Sequence, residues 1–140
     1  MGRYLAIDYG TKRSGVAVTD TLKIIATPLN AVATHDLMNY LAEYMEREQV
    51  ERVVVGKPLQ MDNKPSESMK YVHQFVTAFK KRFPEVLVEW LDERFTSKMA
   101  ADAMVSGGMK KKDRQKKENV DRISAVIILQ SYLEQQNNPG

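Results

Sequence analysis

Several things are missing from this chain, and each absence removes a class of chemistry. Its 140 residues include no cysteine, so disulfides, thiolate nucleophiles and thiolate metal sites are excluded. The same absence fits a reducing compartment. Only two histidines occur. His35 stands just before a predicted helix and His73 lies on an amphipathic one, so both read as structural or surface residues rather than zinc ligands. The N-terminus has no apolar signal core, and no apolar run is long enough to span a bilayer. Gly2 opens no myristoylation motif, because Ala6 occupies the position that needs Ser or Thr. A cytoplasmic protein without membrane attachment is the expectation. No internal repeat or linker is visible, so residues 1–136 read as one domain and 137–140 as a frayed tail.

Charge is present but uneven. The formal net charge is +3, from 21 basic and 18 acidic residues. The run "KKKDRQKK", Lys110 to Lys117, carries a net +5 on its own and leaves the remainder at −2. Basic character concentrated in one segment is expected either of a polyanion-binding patch or of a solvated loop. Few aromatics flank this run, so there is no sign of base stacking.

The hydrophobic pattern sets the order of elements. "RYLAID" and "SGVAVTD" read as a hairpin around a turn containing Gly10. "KIIATPLNAV" reads as a third strand, and its Pro28 points to a sheet edge or a strand end. "THDLMNYLAEYMEREQV" has helical spacing, with Thr34 or Asp36 as the cap. "ERVVVGKP" is a continuous apolar strand, the pattern of a parallel sheet covered on both faces. A helix from about Ser66 to Arg82 follows, then the strand "EVLVEWLDE". A short helix "TSKMAADAMVSGG" leads to the basic run, and a last helix spans about Asn119 to Gln135. The order β-β-β-α-β-α-β-α-α predicts an α/β fold: a leading meander in a mixed five-stranded sheet, with helices on both faces.

Ligands of such sheets sit outside the carboxyl ends of the parallel strands. Asp8 ends the first strand, and Asp92 and Glu93 end the last. Asp121 lies near the start of the last helix, beside an apolar surface where an unpaired acid would be costly. Three carboxylates on one sheet edge form a hard-oxygen site suited to Mg²⁺ or Mn²⁺. Each acid taken alone would read as a turn or cap residue; their joint placement, next to a basic run, favours metal-assisted chemistry on a polyanion.

The segments "AIDYGTKRSGVAVTD", "VVVGKPLQMD", "LDERFTSKMA" and "KKENVDRISAVIIL" resemble, in order and spacing, the motifs of the YqgF family, also called RuvX. The resemblance covers essentially the whole chain. It implies a ribonuclease H-like fold. It also implies a nuclease that resolves Holliday junctions or matures the precursor of 16S ribosomal RNA, in contact with rRNA precursor, branched DNA or ribosomal pre-particles. Carried over residue by residue, Asp8 matches the first-strand aspartate that bridges two metals, and Asp121 the acid of the C-terminal helix. Asp92, Glu93 and Arg94 match the signature after the last strand. RuvC-like resolvases carry a glutamate at the end of the fourth strand, where this chain reads Gly56, Lys57, Pro58. The second ligand then falls to Glu93, with Asp92 as its alternative, or the site holds fewer ions.

The expected activity is hydrolysis of a phosphodiester, with catalytic and metal-binding roles for Asp8, Glu93 and Asp121 and two Mg²⁺ or Mn²⁺ ions. Thr11, Lys12, Arg13, Lys57 and Arg94 would hold the nucleic acid near the acids. Lys110, Lys111, Lys112, Arg114, Lys116 and Lys117 would track its backbone without reading sequence. The first turn also resembles the phosphate loop of the actin and sugar-kinase superfamily. Those enzymes enclose ATP between two such domains, and this chain has room for one. The remaining rival is an RNA-binding ribosome assembly factor that kept the fold and lost turnover. A monomer or a weak homodimer is expected.

Overall fold

The computed structural model describes residues 2–57, 69–92 and 117–137, with only the backbone at 92, 117–123 and 137. The β-branched and alternating runs form β1 (Arg3–Asp8), β2 (Arg13–Thr19), β3 (Ala26–Ala33), β4 (Val50–Lys57) and β5 (Leu87–Asp92). The helices are α1 (Leu37–Arg47), α2 (Met69–Arg82) and α3 (Lys117–Asn137), with one 3-10 turn at Thr34–Asp36. The predicted helix of "TSKMAADAMVSGG" lies outside the described residues, as do positions 66–68, where the second helix was expected to begin.

The five strands form one sheet in the order β3-β2-β1-β4-β5. β2 pairs antiparallel with β1 and β3, whereas β4 runs parallel to β1 and β5. This is the expected mixed α/β sheet. Pro28 sits on the edge strand β3, where a missing N–H costs no ladder bond on the outer side.

The central strands are buried on both faces, and alternation sorts their side chains. Leu5, Ile7, Val16, Val18, Val53 and Val55 face α1 and α2, meeting Leu37, Leu41, Val72, Val76 and Phe79. Ala6, Ala17, Ala26, Val54 and Leu91 face α3, meeting Ala125, Ile128, Leu129 and Tyr132. This explains why the "VVV" of β4 shows no alternation: each face of that strand lies against a helix layer.

Three boundaries differ from the sequence reading. Ile24 and Ile25 are exposed in the turn before β3, because both their N–H groups donate to Asp20 Oδ1, at 2.8 and 2.9 Å, and close a tight loop with Lys23 at φ 60°. Neither Thr34 nor Asp36 caps α1 through its side chain; Asp36 already has a helical backbone there and makes no capping bond. Finally, α3 begins two residues early, at Lys117, so Asp121 falls in its second turn. Lysine and glutamate at its start are good helix formers and extend it backwards.

Candidate active site

Because β1, β4 and β5 are parallel neighbours, their carboxyl ends share one edge of the sheet. Asp8 stands there at the tip of the central strand, half-buried. Lys57 and Asp92, paired in register, end β4 and β5 on the same edge. The α-carbons of Asp8 and Asp92 are two strand spacings apart, ~10 Å.

The pleat gives Asp8 the parity of Ala6, so it lies on the α3 face. Its cross-strand partner in β2 is Gly15. In β4 the register Ile7 to Val55 continues one step to set Asp8 beside Gly56. The Asp8 carboxylate therefore has a glycine on each flank, on its own face. A β-carbon at Gly15 would stand ~4.5–5.5 Å from that of Asp8, the spacing of an ordinary cross-strand pair. Lys57 shares the parity of Val53 and Val55, so it serves the edge from the opposite face.

The direction of α3 comes from the other end of the sheet. The rings of Tyr4 and Tyr132 meet edge to face, 5.8 Å between centroids. The Arg52 guanidinium lies 5.1 Å from the Tyr4 centroid and 5.8 Å from that of Tyr132, and donates to the Tyr132 hydroxyl. Burial raises the Tyr132 pKa, so the phenol stays neutral there. These contacts fix the C-terminal half of α3 at the amino edge of β1 and β4. From Tyr132 back to position 121 is ~16 Å of helix, and from Tyr4 to Asp8 is ~13 Å of strand. Position 121 is also one, two and three turns from Ala125, Ile128 and Tyr132, the stripe that faces the sheet. Backbone geometry thus carries position 121 toward Asp8's end of the sheet.

The turn from β1 to β2 is tight. A β-carbon on Gly10 would stand 2.2 Å from the Arg13 carbonyl oxygen, so the turn excludes any side chain there. The Gly10 N–H donates to Ser14 Oγ at 3.3 Å, the Thr34 hydroxyl donates to the Gly10 carbonyl at 2.5 Å, and the two hydroxyl oxygens are 2.9 Å apart. The Thr34 N–H donates to the Lys12 carbonyl at 2.9 Å. Thr11, Lys12 and Arg13 are exposed on this turn. Tyr9 turns to the opposite face, its ring 5.4 Å from Phe75, and burial raises its pKa.

Of the residues expected at the site, Asp8, Thr11, Lys12, Arg13 and Lys57 are therefore on the carboxyl edge, with the backbones of positions 92 and 121 directed to it. Glu93, Arg94, Lys110, Lys111, Lys112, Arg114 and Lys116 lie outside the described residues, and Lys117 is described by its backbone alone. Among the described residues no three His, Asp or Glu side chains gather as a metal cluster. His73 packs on Trp90, 5.1 Å between ring centroids, and the exposed His35 lies 3.4 Å from the Asp36 carboxylate. The sequence reading missed Ser14 and gave Thr34 only a capping role. Their sequence separation leaves no local signal of their meeting. No helix among the described residues is long and apolar enough to cross a membrane.

The chain resembles known proteins over nearly its whole length. The family described as "RuvX: Holliday junction resolvase" matches residues 2–135. A relative from Phocaeicola vulgatus, named "Putative pre-16S rRNA nuclease", is 58% identical over 134 residues, covering 96% of each chain. One of the same name from Christiangramia forsetii is 55% identical over 133 residues, covering 95% of this chain and 98% of the relative. Among solved structures, Thermus thermophilus RuvC with a Holliday junction substrate superposes with a TM-score of 0.61 at 15% identity, over 99% of this chain and 97% of the other. That likeness shows the ribonuclease H-like fold.

Proposed function

Since the chain belongs to the RuvX family, we propose that it is a nuclease that hydrolyses phosphodiester bonds in structured nucleic acid, with 16S rRNA precursor or a four-way DNA junction as substrate. The observation that carries this reading is the half-buried Asp8 at the tip of the central strand, flanked by Gly15 and Gly56 and faced by α3.

The donor set fits a hard cation. Every candidate acid offers oxygen, the chain has no thiol, and the residues paired beside Asp8, Gly15 and Gly56, bring no side chain of their own. Asp8, Glu93 and Asp121 would hold Mg²⁺ or Mn²⁺, which when bound would polarise the phosphoryl group and acidify a water. Parity supports Glu93 over Asp92 as the second ligand. Leu91 faces α3, as Asp8 does, so Asp92, the next and last residue of β5, has the parity of the opposite face.

The other residues divide by what they meet. Thr11 and Lys12 on the Gly10 turn would grip phosphates of the strand being cut, with Arg13 beside them. Lys57 would bind from the far face of the sheet edge, and Arg94 would offset the carboxylates. The basic run, Lys110 to Lys117, would follow the backbone, lending affinity without sequence preference.

The test is incubation of the protein with a four-way DNA junction and with a 5′-extended 16S rRNA fragment, each with Mg²⁺, Mn²⁺ or neither. Cleavage of at least one substrate, only with metal, is expected. Tight RNA binding without cleavage under any condition would make the chain an assembly factor instead.

A further inference from the structure

Hydroxyl protons can be counted at the β1–β2 turn. Thr34 has one hydroxyl proton, and it goes to the Gly10 carbonyl at 2.5 Å. In the 2.9 Å contact between the two hydroxyls, Ser14 must then be the donor. Ser14 Oγ in turn accepts from the Gly10 N–H at 3.3 Å. The three groups close a ring in which each hydroxyl both donates and accepts, and both polar groups of Gly10 are satisfied. Such a ring strengthens its members cooperatively. Ser14 is 0% exposed, so water does not compete for its hydroxyl. A fourth bond, from the Thr34 N–H to the Lys12 carbonyl, ties the outer part of the turn to the same residue.

We infer that Thr34, with Ser14, is a positioning residue that holds Thr11, Lys12 and Arg13 in a fixed, phosphate-ready conformation beside Asp8. The inference rests on the nuclease reading and adds to it a determinant of nucleic-acid binding from the β3–α1 junction, outside the turn itself. The Gly10 turn leaves no room for a side chain to brace it from within, since a β-carbon there would meet the Arg13 carbonyl at 2.2 Å. The bracing comes from across the sheet edge. A pre-formed turn meets phosphates without first paying the entropy of ordering.

Thr34→Val keeps the shape and removes the hydroxyl; Thr34→Ser keeps the hydroxyl. Binding to a four-way DNA junction and to the 5′-extended 16S rRNA fragment is measured in EDTA across a salt series, so cleavage does not intervene. Thr34→Val should weaken binding about three- to tenfold and flatten the salt slope. Thr34→Ser should restore both. Lys12→Ala should cost affinity in the wild type but less than about twofold on the Thr34→Val background, because a loosened turn no longer places that cation. In the cleavage assay Thr34→Val should raise KM and spare kcat. If Thr34→Val unfolds, Ser14→Ala and Thr34→Ser carry the same comparison. Additive losses from Thr34→Val and Lys12→Ala, or an unchanged slope in Thr34→Val, would reduce Thr34 to ordinary packing while leaving the nuclease reading intact. A wild type that binds neither nucleic acid would overturn both.

Discussion

The two faces of the sheet are built from different side chains. Toward α1 and α2 the strands offer Leu5, Ile7, Val16, Val18, Val53 and Val55, which meet leucine, valine and Phe79. Toward α3 they offer Ala6, Ala17 and Ala26 beside Val54 and Leu91, which meet Ala125, Ile128, Leu129 and Tyr132. The first face buries more apolar surface for each contact and contributes more of the hydrophobic stabilisation, at about 25 cal/mol per Å². The second contributes less, but its small side chains let the backbone of α3 come close. That face holds Asp8, Gly15 and Gly56, and α3 carries position 121. Bulk serves stability on one side, while smallness on the other lets a helix backbone lie close to the sheet.

The largest expected effect tests the chemical side directly. Asp8→Asn should abolish cleavage and leave affinity in EDTA nearly unchanged. If Asp8 shares its edge with other carboxylates, the neutral variant should be as stable as wild type or more so without metal, because clustered like charges repel. Its melting temperature should also rise less with Mn²⁺, since metal stabilises only a fold that binds it. A variant that loses stability without metal yet keeps its activity would return Asp8 to a turn role.

The next largest effect lies at the end of β5. Glu93→Gln should lose nearly all activity, whereas Asp92→Asn should cost at most about 10–100-fold, the scale of an outer hydrogen-bonding partner. The reverse ranking under matched metal concentrations would move the ligand role to Asp92 and break the link between Asp8's face and the last strand.

Denaturant melts and activity together contrast the faces. Phe79→Ala should cost about 3–5 kcal/mol, with unchanged activity per folded molecule. Ala17→Leu should cost less stability, about 1–3 kcal/mol, because overpacking pushes α3 away. Its activity per folded molecule should nevertheless fall. Equal activity in the two variants would show that the alanine face has no bearing on the site.

The smallest effect lies at the far, amino edge. Backbone N–H groups of Ile25 and Ile24 hold the Asp20 carboxylate below its ordinary pKa. A depressed carboxylate stabilises the fold at pH values above its unfolded pKa, and that contribution disappears as pH falls through the folded value. Asp20→Ala should therefore lower the melting temperature slightly at neutral pH and have less effect in strong acid. Cleavage should be untouched, because the β2–β3 turn stands at the opposite edge from Asp8.

Much of the fold was legible because it depends on local period. The apolar "VVV" of β4 announced a doubly covered strand, and Pro28 an edge. Asp8 stood out because a carboxylate at the tip of an apolar strand, followed by a glycine turn, has few inexpensive explanations. The boundary at Ala26 was not legible: "KIIA" has the composition of a strand, and only the side chain of Asp20, taking both N–H groups, turns it into a loop. Thr34 misled for a similar reason. A threonine before a helix resembles a cap, and its actual partner, Gly10, is distant in sequence.

By itself the sequence determined the order of the described strands and helices, the basic run and the identity of the candidate acids, because these follow from residue type and short-range spacing. Tertiary structure alone decided which glycines flank Asp8, which face α3 covers, and how Ser14 and Thr34 close on Gly10. The pairing of Gly56 with Asp8, the meeting of Thr34 with Gly10 and Ser14, and the packing of α3 on the sheet all join segments distant in sequence, set by strand register and helix direction, and no local propensity encodes them.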